Sequence, residues 1–487
     1  MLVEREAVSI HLETGSFFMN FFRGDNMEKK INLLGAIIAT GIMSFAGVLI
    51  ETAMNVTFPT LIDQFNLSTS NVQWVTTIYL LVISIIVPIS TFLLKQFQIR
   101  TLFLAANGLF LAGLLIDFLS PSFAILLLGR LLQGASTGIA LPLMFHIILT
   151  YSPLEKRGTM IGIGNLTTSI APAIGPTYGG LLTSLLNWNY IFLFLIPVLL
   201  VSLILGLYSI PKIAIERTGR LDFLSVVGIT FMFSGFLLFL NLIGSLTSLL
   251  PLVLGILGAL LFYKRSLQSD PLIRLSVFKN RSFRLFLFGF LVCQFLLLGI
   301  SFVLPNFVQI VLGQNAFTAG LVMLPGAIVG AVLAPLSGRM LDSIGPKKPI
   351  MIGLILITLG WLALALLLNL TILWAFIAAH VFYMIGIGCS YSNMMTMGLS
   401  KIDQQLAADG NAVFNTLQQF SGAVATALVA TMIDLAQKVS PNYISGTILG
   451  SQIALFFLWL MVLVVVFLTL RYFYKDPVNA KKGLEKE

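Results

Sequence analysis

The stretch PLSGRMLDSIGPK, residues 335–347, has a weaker copy in PISTFLLKQFQIR, residues 88–100. Both stretches end an apolar segment and enter a basic loop. At a constant offset of 247 residues they share four positions: Pro88 with Pro335, Ser90 with Ser337, Leu94 with Leu341 and Arg100 with Lys347. An internal repeat of this kind predicts a chain built from two similar halves.

The composition indicates a membrane protein. Of the 487 residues, 58% are hydrophobic and 10% are charged, and the mean hydropathy is +0.99. Apolar runs of about 18 residues or more can cross a hydrocarbon core of about 30 Å, and backbone groups in lipid must pair within helices. We therefore predict an all-α polytopic membrane protein with fourteen transmembrane helices, over residues 32–53, 72–94, 101–119, 122–150, 158–186, 189–210, 222–242, 247–263, 284–312, 317–338, 349–368, 371–398, 410–435 and 447–471.

The net charge of +9 reflects topology. If the amino terminus is cytoplasmic, 26 of the 28 Lys and Arg residues fall in cytoplasmic segments, and the other two are Lys438 and Arg130. This bias predicts a bacterial cell-membrane protein with both termini in the cytoplasm, and it argues against nucleic acid as a partner. Cys293 and Cys389 both lie in predicted helices. This placement indicates neither a disulfide framework nor a metal site.

The repeat divides the predicted helices into six, an inserted pair and six more. MEKKINLLGAII, from Met27, resembles a natural start, so we expect residues 1–26 to be an upstream or non-native extension. The predicted organisation is an extension over 1–26, an N-terminal six-helix bundle over 27–210, two inserted helices with linkers over 211–283, a C-terminal six-helix bundle over 284–472 and a cytoplasmic tail over 473–487.

SGRMLDSIGPKK, residues 337–348, combines turn residues with charges. Gly338 and Gly345 permit a tight turn between two helices. Asp342 can accept hydrogen bonds from a neighbouring helix end while Lys347 and Lys348 neutralise it. These residues predict a charged latch that forms in one conformation and breaks in another; the alternative is an ordinary solvated turn.

LLLGRLLQGASTGIALP, residues 126–142, places Arg130 one turn from Gln133. An arginine at mid-membrane costs at least ~2.5–3.5 kcal/mol and usually faces a partner or a water-filled cavity. We expect both side chains to line such a cavity. The alternative is an arginine whose charged end reaches the external surface.

SIAPAIGPTYGG, residues 169–180, interrupts the fifth helix. Each internal proline removes a helix hydrogen bond, and glycines four residues apart let another helix approach closely. The pattern predicts a hinge or gating interface, with simple close packing as the alternative. The residues concerned are Pro172, Gly175, Pro176, Gly179 and Gly180.

Together with ETAMNVTFP at residues 51–59, these stretches resemble motifs of the fourteen-helix drug:proton antiporters of the major facilitator superfamily, including its lincomycin exporters. The matching segments are Gly338–Lys348, Gly129–Gly134 and Gly175–Gly180, and the last is characteristic of exporters. NAVFNTLQQFSGAVATA, residues 411–427, resembles the family's penultimate helix. The resemblance implies two six-helix bundles plus two inserted helices. It also implies gating roles for Gly175, Pro176, Gly179, Gly180, Gly338, Asp342 and Gly345.

One motif departs from the family pattern. In the first-half loop, Thr91 stands at the glycine position and Lys95 at the aspartate position. The second-half copy keeps its charge at Asp342, so the latch is expected there rather than in the first half.

Glu51 is the leading candidate for proton coupling. It matches the acid of the family's first-helix motif, with Asn55 and Pro59 matching the amide and the proline. Glu51, Asn55 and Phe58 lie on one helix face, and a carboxyl group that loses its hydration in a cavity can be protonated near physiological pH. The alternative is an interfacial carboxylate, because Glu51 lies about twenty residues, or ~30 Å, into its predicted helix.

Two further residues could couple protons. Asp117 lies just before an external turn and could instead be interfacial. His380 occupies in helix 12 about the position of Arg130 in helix 4, and a histidine can exchange a proton near neutral pH, although a lone histidine is more often structural. We expect the substrate cavity to be lined by Asn55, Arg130, Gln133, Tyr178, Asn415 and Gln418.

The resemblance implies a monomeric, proton-driven exporter of hydrophobic, cationic drugs with a role in antibiotic resistance, working without a cofactor. Its expected partners are small-molecule substrates, protons and the lipid bilayer. An endogenous lipid, nucleotide signal or metabolite remains an alternative cargo, and sodium an alternative coupling ion. A channel or a membrane enzyme is disfavoured, since the sequence has no zinc-protease or nucleophile-elbow motif and no phosphate-binding loop for ATP.

Overall fold

The computed structural model describes residues 31–153, 157–212, 221–243, 245–268, 271–370 and 372–475. Within these residues the chain forms long helices and no strand. We number fourteen of them: α1 Leu33–Phe65, α2 Thr69–Gln96, α3 Ile99–Phe118, α4 Phe123–Tyr151, α5 Arg157–Leu185, α6 Tyr190–Ser209, α7 Phe223–Asn241, α8 Leu246–Ser266, α9 Arg281–Ile310, α10 Ala316–Ile344, α11 Lys347–Leu370, α12 Leu373–Leu399, α13 Gln404–Val439 and α14 Tyr443–Tyr474. The expected extension over 1–26 and the tail beyond Lys475 lie outside the described residues.

Each of the fourteen predicted helices corresponds to one observed helix. Thirteen of the described helices are long and apolar enough to cross a membrane. The fourteenth is α5, whose sequence is rich in glycine, serine and threonine and which packs between α1 and α10. The predicted polytopic all-α class is confirmed.

The helices end at two opposite sides of the molecule. The terminal face is the side on which α1 begins and α14 ends, and the distal face is the opposite side. The start of α1 and the end of α6 meet at the terminal face, where the backbone N–H of Asn32 donates to the Ser209 carbonyl at 3.0 Å. At the distal face, Trp188 Nε1 donates to Gln64 Oε1 at 2.6 Å.

The helices pack as two bundles with the same internal arrangement. In the first, α1 packs on α4, α5 and α6, α2 packs on α4, and α3 packs on α4 and α6. In the second, α9 packs on α12, α13 and α14, α10 packs on α12, and α11 packs on α12 and α14. Each helix of the second bundle has the same neighbours as the helix eight places earlier in the chain has in the first bundle. It confirms the architecture of two six-helix bundles plus two inserted helices.

The bundles meet along two helix pairs, α5 with α10 and α2 with α13. Small residues four apart bring α5 and α10 close together: a Cβ on Gly180 would lie 2.9 Å from the Ala316 carbonyl carbon, and a Cβ on Gly320 would lie 2.7 Å from the Pro176 carbonyl carbon. Close backbone approach of this kind maximises packing where the hydrophobic effect cannot drive helices together.

The inserted helices α7 and α8 form a hairpin against the second interface. They approach through glycines, since a Cβ on Gly235 would lie 2.6 Å from the Gly255 Cα. Arg265 joins Asp222 at the terminal face, with Nη2 2.7 Å from Oδ1. Helix α8 packs mainly on α7, as a peripheral addition would. Helix α7 packs on both α13 and α2.

Candidate substrate and proton site

Helix α1 is longer than the sequence predicted, and this changes the position of Glu51. The predicted end at residue 53 is wrong, because the helix continues through a 3₁₀ turn at Asn55–Thr57 into Phe58–Phe65. Pro59 does not end the helix. It lies in the first turn after the 3₁₀ segment, where the backbone N–H that proline lacks would have no hydrogen-bond partner within the helix. Glu51 therefore lies 18 residues after Leu33 and 14 before Phe65, near the middle of the helix. Its exposure is 8%. This position does not fit an interfacial carboxylate.

One face of α1 points at α2 and α4. A Cβ on Gly47 would lie 2.6 Å from Thr137 Oγ1 and 3.0 Å from the Tyr79 hydroxyl. Two turns later on the same face, Asn55 Oδ1 accepts a hydrogen bond from Thr76 at 2.9 Å. Glu51 lies between these two contacts, four residues from each. The spacing places its side chain on the face that α1 presents to the other two helices.

Arg130 is the buried cation nearest this face. Its Nε donates to the Val75 carbonyl at 2.9 Å, and Nη1 donates to Gln133 Oε1 at 2.6 Å. The guanidinium carbon lies 4.3 Å from the centroid of the Tyr79 ring. Because Arg130 is 0% exposed, it is not an arginine that reaches the surface. Gln133, one turn away in the same helix, is its side-chain hydrogen-bond partner.

Asp117 extends this network. Its Oδ2 accepts a hydrogen bond from Gln133 Nε2 at 2.8 Å, so Gln133 bridges the carboxylate and the guanidinium. Two glycines permit the contact by bringing α3 close to α4: a Cβ on Gly113 would lie 2.8 Å from the Gly129 carbonyl oxygen. Asp117 is fully buried, although it is the last residue but one of α3.

The second bundle contributes a neutral polar cluster. Gln418 Nε2 of α13 donates to the Tyr391 hydroxyl at 2.7 Å, and that hydroxyl donates to Gln294 Oε1 of α9 at 2.6 Å. Sequence reasoning named Gln418 but missed Gln294. An amide within the apolar run FLVCQFLLLG, residues 290–299, was the available signal.

Glu51 lies in the part of α1 that adjoins the second bundle, since Gln309 Nε2 of α9 donates to the Val56 carbonyl at 2.9 Å. Glu51 interacts electrostatically with Arg130 in its own bundle and with Tyr391 in the other. It makes no hydrogen bond or ion pair with any residue of the described ranges. The candidate site thus combines a buried carboxylate and a cationic network of the first bundle with a tyrosine of the second bundle that two amides hold.

The fold and this site point to a transporter, and comparison with known proteins decides the family. Residues 40–426 match the family model described as Major Facilitator Superfamily. The chain belongs to the Major Facilitator Superfamily. The predicted resemblance is confirmed.

Relatives span most of the chain. The lincomycin resistance protein LmrB of Listeria innocua is 36% identical over 409 residues, which are 82% of this chain and 87% of that protein. LmrB of Bacillus subtilis is 32% identical over 418 residues, 84% of this chain and 87% of that protein. The putative multidrug resistance protein MdtD of an Enterobacter species is 25% identical over 459 residues, 92% of this chain and 95% of that protein.

Solved structures show the same fold. A POT family transporter in complex with a peptide matches with a TM-score of 0.68 at 16% identity, covering 90% of this chain and 96% of that chain. The D-xylose-proton symporter matches with a TM-score of 0.62 at 17% identity, covering 90% and 96%. This member of the Major Facilitator Superfamily is therefore a multi-pass membrane transporter and not an enzyme.

Three predicted site residues make contacts outside the network of Arg130, Gln133 and Asp117. His380 of α12 is buried against α10, where a Cβ on Gly326 would lie 3.1 Å from its Cγ. Tyr178 donates to the Ile191 carbonyl of α6 at 2.8 Å. Asn415 donates to the Asn411 carbonyl, one turn back in α13, at 2.8 Å.

The family motif of α5 contacts two helices at once. Gly175 and Gly179 face α1, where a Cβ on Gly179 would lie 2.9 Å from the Ala53 Cα. Pro176 and Gly180 face α10 of the other bundle. The predicted gating residues of this stretch therefore lie at the junction of α1 with the bundle interface.

The loop motif after α10 shows no latch in this structure. Gly345 ends the helix with a φ of 78°, which glycine adopts readily. Asp342 is exposed and forms no ion pair with the described residues. Lys347 lies over the Tyr474 ring of α14 at 4.0 Å instead. A Cβ on Gly338 would meet no atom within 4 Å.

Proposed function

We propose that this transporter exports hydrophobic, cationic compounds in exchange for protons, by alternating access of its two bundles. The names of its relatives, lincomycin resistance protein and multidrug resistance protein, support drug export. A proton entering across 100 mV supplies roughly 2.3 kcal/mol. At about 1.4 kcal/mol per decade, this sustains a concentration ratio on the order of forty.

The observation that carries the proposal is the position of Glu51. It lies near the middle of α1, buried, close to the point where α1 meets α9, and without a direct partner among the described residues. A carboxylate removed from water costs several kcal/mol unless it is paired. A proton or a cationic substrate can each relieve this cost, but both cannot occupy one carboxylate. Competition for Glu51 therefore couples proton entry to substrate release.

The orientation follows from the basic residues. Lys95, Arg100, Lys264 and Arg265 lie near the terminal face, so we assign that face to the cytoplasm. The distal face is then external. We also assign the bundles to residues 27–210 and 284–472, with the inserted pair over 211–283.

Hydrogen bonds join the bundles in the distal half. Thr69 Oγ1 donates to Gln437 Oε1 at 2.7 Å, and the Phe317 amide donates to Ser184 Oγ at 3.0 Å. Gln309 Nε2 donates to the Val56 carbonyl at 2.9 Å. These contacts support a state closed to the outside, from which Glu51 exchanges its ligand with the cytoplasm.

The contacts of the cationic groups favour a cationic cargo over an anionic one. Arg130 is held by Val75 and Gln133, and His380 is buried against Gly326. Glu51, by contrast, is a carboxylate that forms no hydrogen bond or ion pair with the described residues, and it keeps 8% of its surface exposed. Asp117 and His380 remain secondary candidates for proton coupling.

The test is uptake of a fluorescent lipophilic cation into inverted membrane vesicles that carry a proton gradient. We expect Glu51→Gln to abolish uptake, because the amide can neither release a proton nor attract a cation. Asp63→Asn is the matched control, since Asp63 is an exposed carboxylate on the same helix. It should transport as the wild type does.

Two results would count against the proposal. Full uptake by Glu51→Gln would move the coupling site to Asp117 or His380. Uptake by the wild type that survives a protonophore but requires sodium would replace the coupling ion.

A further inference from the structure

Two aromatic rings form a parallel stack in the second bundle beside the Glu51 site. The centroids of Phe290 on α9 and Tyr391 on α12 are 4.4 Å apart, and the rings are inclined by 4°. Phe414 of α13 meets the edge of Phe290 at 5.1 Å and 77°. Three helices thus fix one aromatic surface.

Hydrogen bonds fix the position of the Tyr391 ring. The Tyr391 hydroxyl accepts from Gln418 and donates to Gln294, at 2.7 Å and 2.6 Å. With the stacked ring behind it and an amide on each side of its hydroxyl, Tyr391 has little freedom to rotate. A surface held in this way loses little entropy when a ligand binds.

A carboxylate of the other bundle lies within range of an electrostatic interaction with the stack. Tyr391 is half-buried, so part of the residue stays accessible, and the carboxylate in question is Glu51 of α1. Among the described residues, the groups that hydrogen-bond to Tyr391 or stack on it are neutral: Phe290, Gln294 and Gln418. A cation at this point would be attracted by the carboxylate from one side and by the ring quadrupole from the other.

We infer that the Phe290–Tyr391 stack is the part of the substrate site that recognises positive charge, selecting quaternary or delocalised lipophilic cations. The inference rests on the proposed export function, whose carboxylate it uses. The stack belongs to the second bundle and Glu51 to the first. A cation bound between them contacts both bundles at once.

The test compares two substitutions that remove the same hydrogen bonds. Tyr391→Phe keeps the ring, whereas Tyr391→Leu removes it. In inverted vesicles supplied with a quaternary quinolinium dye, we expect the apparent KM of Tyr391→Leu to be on the order of tenfold higher than that of Tyr391→Phe. Inhibition of dye uptake by the uncharged quinoline parent should differ little between the two variants.

Phe290→Leu provides a second test, because it breaks no hydrogen bond and leaves Tyr391 without its stacking partner. We expect a smaller rise in the KM for the dye, on the order of threefold. Tyr208→Leu is the control, since Tyr208 is 72% exposed on α6. It should leave the KM unchanged.

Equal KM values for Tyr391→Leu and Tyr391→Phe, with Phe290→Leu at the wild-type value, would overturn the inference. If Glu51→Gln still abolished uptake in that experiment, the proposed function would stand. Failure of the wild type to move the dye would remove the proposed function, and the inference would fall with it. An equal loss of dye uptake and quinoline inhibition would assign Tyr391 a structural role and also overturn the inference.

Discussion

Arg130 is stabilised inside its bundle by neutral oxygen atoms and an aromatic ring rather than by direct contact with a carboxylate. The Val75 carbonyl and Gln133 accept its hydrogen bonds, and Tyr79 lies beneath the guanidinium. The charge of Asp117 reaches it through Gln133. Asp117 is therefore a buried counter-ion that is joined to Arg130 through Gln133 rather than by direct contact.

Replacing Asp117 by Asn should destabilise the protein. The amide keeps the shape of the carboxyl group but leaves the buried Arg130 without this negative charge. Removing one member of a buried charge pair costs about 3 kcal/mol or more. We expect a lower midpoint of thermal denaturation in detergent and reduced dye uptake.

The double variant Asp117→Asn/Arg130→Gln separates charge from packing. If the charges compensate each other, the double variant should be more stable than the sum of the two single variants predicts, by about 1 kcal/mol or more. Strict additivity would show that Asp117 and Arg130 do not interact.

For contacts between individual residues, the sequence predicted pairs within one helix better than pairs that join two helices. Arg130 and Gln133 are three residues apart in one helix, and that spacing alone places them together. Asp117 meets Gln133 only because Gly113 and Gly129 bring α3 against α4. The contact of Tyr391 with Gln294 depends likewise on how α9 and α12 pack.

Among the elements, α5 makes close contacts with helices of both bundles. Its glycines place α1 on one side and α10 on the other, so one helix connects α1, which carries Glu51, with the bundle interface. The sequence predicted a packing or hinge motif here. It could not say which helices pack against it, because the spacing of glycines does not specify a partner.

Gly179→Ala should impair both stability and transport. The added Cβ would lie 2.9 Å from two backbone atoms of Ala53, two residues from Glu51, and backbone atoms yield less than side chains do. Overpacking of this kind costs about 1–3 kcal/mol. Thermal denaturation and dye uptake measure the two effects.

Gly108→Ala is the matched control, since it introduces the same Cβ into another helix with no atom within 4 Å. It should be neutral or slightly stabilising, because alanine favours the helix. If both substitutions behaved alike, the close approach of α5 to α1 would not matter for transport.

In the whole molecule, the short repeat at an offset of 247 residues predicted two halves, and the observed helix pairing repeats in the same way. The inserted hairpin was less predictable. Phe233 of α7 stacks on Phe420 of α13 at 4.1 Å, and Asn241 donates to the Ser70 carbonyl of α2 at 3.0 Å. Composition marked α7 only as apolar, and it does not show that α7 touches both bundles.

Alternating access requires the distal contacts between the bundles to open, so a covalent link across them should stop transport. Ser184 and Phe317, which share a hydrogen bond between α5 and α10, are the positions for a cysteine pair. We expect a short bifunctional thiol reagent to abolish dye uptake in Ser184→Cys/Phe317→Cys and to leave each single variant active. The control pair is Phe118→Cys/Asn189→Cys, whose contact lies within one bundle. That pair should continue to transport when linked, because the bundles move as units. Undiminished uptake by the linked Ser184–Phe317 pair would mean that substrate leaves without separation of α5 and α10.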